Sequence, residues 1–361
     1  MHRALATLIV ILAACLGALW SAGRMLERSR EERRADDSAF HRILGVDTPA
    51  AASVARIELT IPGAGEKWAY AKEKDGWRLP RYRQGFARGR ALEGLTAAFL
   101  DGRGTVAGRV STGAERFGIV RGKALEAELR DASGKLLVHA LAGRVAPGQR
   151  SAECFVAAEG RDAILHLDAN PWVHVEWSRG DRFPPLLDPH VIPEALGRGF
   201  PSRIAFGGAS TPAIQALIRK EAPRDPRMPM GQDRGPRYEW YGAFEEGERR
   251  LNDGAATEYV RSIAGLDFED LLGPGAEDAG PFAKPGLTVM IEYDGGAKDT
   301  LILGAAGPGG ARHLLHSTTK QAFLIAAAGA RGLEPDVKAL LEPEPRPAAQ
   351  PAPPAEPPAP K

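Results

Sequence analysis

The body of the chain carries one ordered series of sequence elements twice, and this repeat limits the folds available to it. The run VARIELTI (54–61) opens the first series and PSRIAFGG (201–208) opens the second, with Arg-Ile in both. Further along, ALEAELRDASGKLLVHALAG (124–143) is matched by GLTVMIEYDGGAKDTLILGA (286–305). Because several matches in the same order are stronger than any one alone, the sequence indicates an internal duplication.

Each series also holds a tryptophan and an amphipathic helix. Trp240 stands where the first series has Trp77, and the helical spacing of apolar residues in 88–100 is repeated in 251–268. We therefore predict an α+β fold of two tandem copies of a β-β-α-β-β-β-β unit. Each copy is expected to be an antiparallel sheet packed by its helix, since an apolar sheet face must be buried. Two unrelated α+β domains are the alternative.

Changes in composition predict the domain boundaries. Repeat 1 is predicted over 51–177 and repeat 2 over 201–343, joined by a Pro- and Gly-rich linker over 178–200. The proline-broken segment 221–237 has no counterpart in repeat 1 and predicts a surface loop. The final residues, 344–361, predict a disordered Pro-rich tail, because they cannot bury enough apolar surface to fold.

The first 23 residues predict a membrane anchor. No charged residue occurs from 4 to 23, and a helix of that length covers ~30 Å, the thickness of a bilayer's hydrocarbon core. LAAC (12–15) resembles the lipobox of bacterial lipoproteins, in which Cys15 is the lipidated residue, and the preceding run suits a signal peptide. Since the apolar run continues beyond Cys15, an uncleaved membrane helix is the favoured interpretation and lipidation is the alternative.

Residues 24–50 form a charged juxtamembrane segment. Five arginines follow the apolar run closely, at Arg24, Arg28, Arg30, Arg33 and Arg34. By itself, the positive-inside rule places such a flank, and the body behind it, in the cytoplasm.

Charge and cysteine content exclude several classes of protein. The formal net charge is +1, so the chain lacks the basic excess of nucleic-acid-binding proteins. Its two cysteines, Cys15 and Cys154, are too few for a disulfide framework or a zinc site. The sequence has no GxGxxG after a strand, no P-loop, no GxSxG and no HExxH motif. We therefore predict neither catalytic residues nor a cofactor.

A weak metal-site candidate lies near the end of repeat 1. The run WVHVEW (172–177) reads as a strand whose alternation places His174 and Glu176 on one face, and His166 lies upstream. Histidine and carboxylate groups of this kind bind zinc. The favoured interpretation is a strand with a solvated polar face and no metal. In HLLH (313–316) the histidines are three residues apart, which on a strand points them to opposite faces.

His139 and Cys154 are a candidate nucleophile pair, because one pairing of the first sheet's strands makes them face one another. No orienting group is apparent in the sequence, so we expect Cys154 to be a core thiol. Acidic residues are scattered through both repeats, and no pair stands out as the two carboxylates of a glycosidase.

Several motifs occur in the order seen in one bacterial family. VARIEL (54–59) has the form V-x-x-I-x-L, and it is followed by Asp-Gly-Trp (75–77), RFGI (116–119) and a D-x-x-G-K hairpin (131–135). This order resembles the family known as domain of unknown function 4340, over most of the chain before the tail. The second repeat has DGGAK (294–298), which departs from the hairpin motif by one residue.

The resemblance implies a membrane-tethered envelope protein, and some members of the family stand beside ABC transport systems of the gliding-motility type. We therefore expect a non-enzymatic, membrane-anchored accessory component whose partners are the membrane and ABC-type permease or ATPase components. The resemblance places the body in the periplasm, on a single span of the bacterial inner membrane, against the arginine flank. The alternatives are an envelope glycan- or lipid-binding protein or hydrolase with a cleft between the repeats, and a passive spacer.

Overall fold

The computed structural model describes residues 21–22, 24–27, 40–45, 49–63, 66–143, 154–175, 183–209, 212–222 and 237–341. These residues form two compact units, each built on an antiparallel sheet with few helices, as predicted. Unit 1 comprises Met1–Tyr82 and Phe86–Leu187, and unit 2 comprises Arg83–Gly85 and Asp188–Lys361.

The described residues of unit 1 form ten strands: β1 (His41–Arg42), β2 (Arg56–Thr60), β3 (Lys67–Glu73), β4 (Gly76–Leu79), β5 (Gly85–Phe86), β6 (Arg103–Arg109), β7 (Leu125–Arg130), β8 (Leu136–Gly143), β9 (Cys154–Ala158) and β10 (Ala163–Leu167). Their order across the sheet is β1-β6-β10-β9-β8-β7-β2-β3-β4-β5. Helix α1 (Gly89–Leu100) joins β5 to β6, and one helical turn, α2 (Val110–Gly113), follows β6.

Within its own described residues, unit 2 has nine strands: β11 (Pro201–Gly207), β12 (Ala216–Glu221), β13 (Tyr238–Phe244), β14 (Gly247–Arg250), β15 (Asp270–Pro274), β16 (Leu287–Tyr293), β17 (Lys298–Ala306), β18 (Arg312–His316) and β19 (Gln321–Ile325). Their order is β14-β13-β12-β11-β16-β17-β18-β19-β15. Helix α3 (Asp253–Ala264) joins β14 to β15, and α4 (Ala327–Gly332) and α5 (Val337–Leu341) follow β19.

The two sheets share one strand order. Read from β5, unit 1 runs β5-β4-β3-β2-β7-β8-β9-β10-β6, and unit 2 runs β14-β13-β12-β11-β16-β17-β18-β19-β15. In both units the helix follows the fourth of these strands in the chain and leads to the strand at the far edge. The added strand in unit 1 is β1, which pairs with β6.

The predicted β-β-α-β-β-β-β unit omitted edge strands that the structure contains. Each unit has four strands before its helix and five after it, leaving β1 aside. The omitted strands include β5, with two residues, β6, which reads RGTVAGR, and β14, which reads GERR. Apolar alternation marks strands that bury one face, and these strands lack it.

Alternation along the central strands places the core on one face of each sheet. Leu125, Ala127 and Leu129 of β7 are fully buried, whereas the intervening Glu126 and Glu128 are only half-buried. β16 repeats this pattern, with alternate residues buried. In these central strands, every second side chain therefore lies in the core.

The two tryptophans occupy the same position in the two ladders. Trp77 of β4 pairs with Lys72 of β3, and Trp240 of β13 pairs with Arg219 of β12. Both indoles are buried, at 3% and 2% exposure. The match between these residues in the sequence therefore corresponds to a shared place in the fold.

The two helices bury one face each, as predicted from their spacing. Leu95 and Phe99 of α1 are fully buried, and Ile263 of α3 is 2% exposed. α3 begins after Asn252, whose side-chain oxygen accepts a hydrogen bond from the backbone N–H of Ala255 at 2.9 Å. Packing and capping together stabilise these short helices.

A small apolar cluster covers part of the second face of each sheet. The cluster in unit 1 consists of Ile119, Ala157 and Ile164. The cluster in unit 2 consists of Phe282, Ile302, Leu315 and Ala322. In each unit one member comes from the segment that precedes β7 or β16 and packs onto the sheet. This residue is Ile119 in unit 1 and Phe282 in unit 2.

Two glycines let these crossing segments approach the sheet. A Cβ atom added at Gly143 would lie 1.9 Å from the carbonyl oxygen of Phe117, and one added at Gly304 would lie 2.5 Å from that of Pro281. Because no Cβ atom approaches a backbone oxygen so closely, each position requires glycine. The sequence match between Gly143 and Gly304 therefore has a steric cause.

The predicted D-x-x-G-K hairpin is confirmed. The carboxylate of Asp131 accepts hydrogen bonds from the backbone N–H groups of Ser133 and Lys135, at 2.9 and 3.0 Å. Gly134 has φ +85°, which a residue without a side chain adopts readily. The turn joins β7 to β8.

The prediction of a strand over WVHVEW is wrong. Pro171–His174 form a 3-10 helix, which begins after Asn170; the Asn170 side chain accepts a hydrogen bond from the backbone N–H of Trp172 at 3.0 Å. Proline suits the first turn of a helix because its φ is fixed and it lacks an N–H group. Local capping and Pro171 therefore override the apolar alternation, and Glu176 lies outside the described residues.

The predicted anchor lies almost wholly outside the described residues. These include 21–22 and 24–27 but neither Cys15 nor most of the apolar run 4–23. No helix in the part that the structure describes is long and apolar enough to cross a membrane. Most of the predicted loop 221–237 and the whole tail 344–361 also lie outside it.

Candidate functional site

A row of charged side chains lies on the second face of the unit 1 sheet, and we call it the charged face. Alternation along β2, β3 and β7 turns these residues away from the core. The charged face consists of Arg56, Glu58, Lys67, Glu126, Glu128, Arg130 and His139, with Arg121 and Glu159 at its border. Strand pairing, rather than proximity in the sequence, assembles it.

Lys67 holds two carboxylates that face each other across neighbouring strands. Glu58 and Glu128 are paired residues of β2 and β7, a placement that by itself is repulsive. The ammonium group of Lys67 lies 2.8 Å from Glu58 and 2.5 Å from Glu128, and Arg130 lies 2.6 Å from Glu128. The hydrogen bond from Lys67 lowers the pKa of both glutamates. Both carboxylates are therefore held ionised.

His139 lies between two further carboxylates. Its Nε2 atom is 2.6 Å from Glu126, and its Nδ1 atom contacts Glu159, whose pKa this hydrogen bond lowers. Arg121 lies 3.2 Å from Glu159 and 3.8 Å from Glu126. His139 therefore joins Glu126 of the charged face to Glu159 at its border.

The matching row in unit 2 is uncharged. It crosses β11, β16 and β17 through Ala205, Met290 and Thr300, each paired with the next. With the two ladders aligned at their Arg-Ile pairs, these residues take the places of Glu58, Glu128 and His139. The side chain of Met290 is 46% exposed. The two sheets therefore share their strand order and differ in the surface that they carry.

Unit 2 has a charged cluster in its interior instead. Asp299 is 1% exposed and accepts two hydrogen bonds from Arg198, each at 2.8 Å. His316, which is fully buried, lies 3.1 Å from the same carboxylate. Burial opposes ionisation of Asp299, but the hydrogen bonds from His316 and Arg198 outweigh it and hold its pKa well below the ordinary value. Asp299 and His316 are buried, and Arg198 reaches them from a partly exposed position.

The structure separates the candidate nucleophile pair of His139 and Cys154, since His139 lies beside Glu159 rather than beside Cys154. Cys154 lies at the opposite end of β9 from the turn that holds Glu159, and it pairs with Leu167 of β10. Burial raises the pKa of its thiol to about 12, and its sulfur lies 3.6 Å from the carbonyl oxygen of Ala169. Cys154 is a core thiol, as expected.

The metal candidates do not share a strand face. His166 lies on β10 and packs against the ring of Phe155, with 5.1 Å between ring centroids. His174 ends the 3-10 helix and packs against α1, where a Cβ atom at Gly94 would lie 2.4 Å from its ring; burial lowers its pKa. Among the described residues, no group of three or more His, Cys, Asp or Glu side chains is placed to hold a metal ion.

No family model, curated protein or solved structure matches the chain.

The charged face could not be predicted from the sequence, because its members come from segments about 70 residues apart. A local signal existed in the alternating acids of LEAELR (125–130) and the R-x-E pattern of RIELT (56–60). The charged face is the feature from which a function is inferred below.

Proposed function

We propose that this chain is a non-enzymatic, membrane-anchored protein of the bacterial cell envelope, which acts as an accessory component of an ABC-type transport complex or a related envelope assembly. The apolar segment 4–23 anchors it, either as a membrane span or through a lipid on Cys15. Its body stands in the periplasm and arose by duplication of one β-rich unit. The resemblance to the domain of unknown function 4340 family and the shared strand order support this proposal.

The charged face carries the proposal. Because the two sheets have the same strand order, we expect their cores to require the same kinds of residue. The charges at Glu58, Glu128 and His139 are therefore not needed for core packing. Unit 2 folds with uncharged residues in the same row. Acidic and basic side chains that pair with each other on a surface can form ion pairs with a partner protein instead. Such ion pairs contribute to the specificity and orientation of binding more than to its affinity. We therefore assign partner binding to this surface of unit 1.

The acids of the charged face are better suited to binding than to hydrolysis. A general acid at neutral pH requires a carboxyl group whose pKa is raised. The pKa values of Glu58, Glu128 and Glu159 are lowered, first of all by hydrogen bonds from Lys67 or His139. The geometry therefore favours the accessory role over the alternative of an envelope hydrolase.

Crosslinking and pull-down from native membranes test the proposal. The double variant Glu58→Ala/Glu128→Met gives unit 1 the residues of unit 2 and is expected to reduce recovery of membrane partners by roughly tenfold or more. Met290→Leu in unit 2 is the matched control and is expected to leave recovery unchanged. Recovery of the wild-type chain as a monomer without any membrane partner contradicts the proposal, as does full recovery with the double variant.

Mass spectrometry of the mature protein tests the anchor. An intact N-terminus that begins before Cys15 supports a membrane span, whereas a diacylglyceryl-modified Cys15 as the first residue supports lipid attachment. A mature chain with neither feature, released from membranes by salt alone, overturns anchoring by this segment.

A further inference from the structure

A cavity of about 240 Å³ opens in unit 1 beside the first residues of β3. Trp68 and Leu79 line it from β3 and the end of β4, and Arg81 and Tyr82 line it from the turn that follows. A backbone hydrogen bond of 3.0 Å from Tyr82 to Leu79 holds that turn. The cavity is therefore built from a sheet end and a fixed turn, and its volume suits one ring-sized group.

The lining combines aromatic and apolar surface with a few polar groups. Trp68, Ala69, Leu79 and Tyr82 supply the apolar surface, and Glu66, Lys67 and Arg81 supply the charged groups. Arg81 is exposed and makes no ion pair within the described residues, in contrast to the paired cations of the charged face. The indole N–H of Trp68 is buried and has no hydrogen-bond acceptor there. Arg81 is therefore a cation of the cavity lining that has no ion-pair partner among the described residues.

We propose that this cavity binds a single carboxylated sugar ring of the uronic acid type. The guanidinium group of Arg81 matches a carboxylate through two parallel hydrogen bonds. The faces of Trp68 and Tyr82 pack against the apolar face of a pyranose ring, and the carboxylate of Glu66 accepts hydrogen bonds from its hydroxyl groups.

Saturation-transfer NMR on the full-length chain in detergent micelles tests the site with three probes: glucuronate, glucose and acetate. Glucuronate is expected to bind, and glucose and acetate to bind at least roughly tenfold more weakly, since each lacks one half of the recognised chemistry. Arg81→Gln is expected to weaken glucuronate binding by roughly tenfold or more, and Arg81→Lys to restore part of it. Trp68→Phe, which keeps an aromatic ring and removes the N–H group, is expected to weaken it less.

Arg90→Gln is the matched control, since Arg90 is an exposed arginine on α1 away from the cavity lining. Equal binding of glucose and glucuronate overturns the proposal, and so does binding that Arg81→Gln and Arg90→Gln affect equally. Arg81 is exposed, so its substitution does not disturb the core. Lys67 belongs to both the cavity lining and the charged face, but Arg81 lies outside the charged face. Arg81→Gln leaves Lys67 and its ion pairs in place, so its effect on glucuronate binding is distinguishable from a loss of partner recovery.

Discussion

Units 1 and 2 share their strand order but differ in the charges that they carry at matching positions. Unit 1 carries ion pairs around Lys67 on its outer face, whereas unit 2 has an uncharged row there and pairs the buried Asp299 with the partly exposed Arg198. The steric requirements are common to both, as Gly143 and Gly304 demonstrate. Close approach of the backbone therefore constrains both units in the same way, whereas the positions of their charged side chains differ.

The largest expected effect tests the shared core. Trp77→Ala and Trp240→Ala should each lower the free energy of unfolding of its own unit by ~3–5 kcal/mol, since each removes a buried indole. Hydrogen exchange read by mass spectrometry follows the two units separately. Val173→Ala, at a 49% exposed side chain, is the neutral control. A large loss from only one of the tryptophan variants breaks the equivalence of the two positions.

The buried charge of unit 2 gives the next effect. Asp299→Asn leaves the guanidinium of Arg198 without a counter-charge and should lower the free energy of unfolding by ~3 kcal/mol at pH 7. Because the pKa of Asp299 is below its ordinary 3.8 when folded, its stabilisation is present above pH 3.8 and is lost as the pH falls through the lowered pKa.

Urea unfolding between pH 7 and pH 3 measures this difference. The wild-type chain should lose stability below about pH 4 more steeply than the Asp299→Asn variant does. An Asn variant with unchanged stability at pH 7 and the same acid profile as the wild type contradicts the assignment of net stabilisation to this cluster.

Alanine at the two glycines tests the crossing segments. Gly143→Ala and Gly304→Ala each place a methyl group against a backbone carbonyl, at Phe117 or Pro281, and should cost ~1–3 kcal/mol of unfolding free energy. The closer approach at Gly143 predicts the larger loss. Gly332→Ala, where an added Cβ meets open space, is the control in thermal unfolding. If both strand variants behave like the control, the shared steric requirement is refuted.

The smallest effect is a pH dependence that His190 gives to unit 2. His190 Nδ1 lies 2.8 Å from Asp188, and this hydrogen bond raises the pKa of the imidazole, aided by the charges of Asp267 and Glu194. A raised folded pKa means that the stabilisation is complete below the ordinary pKa of 6.5 and is lost as the pH rises through the raised value.

We expect unit 2 to lose about 1 kcal/mol or less of stability between pH 6 and pH 9, and His190→Gln to remove that dependence. Hydrogen exchange at matched pH values, with rates corrected for intrinsic exchange, measures it. The idea fails if His190→Gln retains the dependence.

The sequence predicted the central hairpins because their signals are local. Asp131 and Gly134 set a turn within five residues, and the alternation of β7 needs only its own six residues. The edge strands β6 and β14 were not predicted, because they bury few side chains and show no apolar alternation. Pro171 and the cap at Asn170 turned an alternating run into a 3-10 helix.

The candidate site could not be predicted in the same way. The meeting of Glu58 with Glu128 depends on the register between β2 and β7, which the intervening chain sets and no local pattern records. Lys67 joins them only because β3 lies on the other side of β2. The sequence therefore predicted the hairpins and the repeated order of elements. The charged face arises instead from pairing between strands that are far apart along the chain.

The short strand β1 forms one edge of the unit 1 sheet. His41 and Arg42 pair with Gly104 and Arg103 of β6, and Arg161 donates a hydrogen bond to the carbonyl oxygen of Leu44 at 2.8 Å. Under the proposed anchoring, the chain that follows the anchor enters unit 1 at β1, so the β6 edge of the sheet is the edge to which the anchor connects.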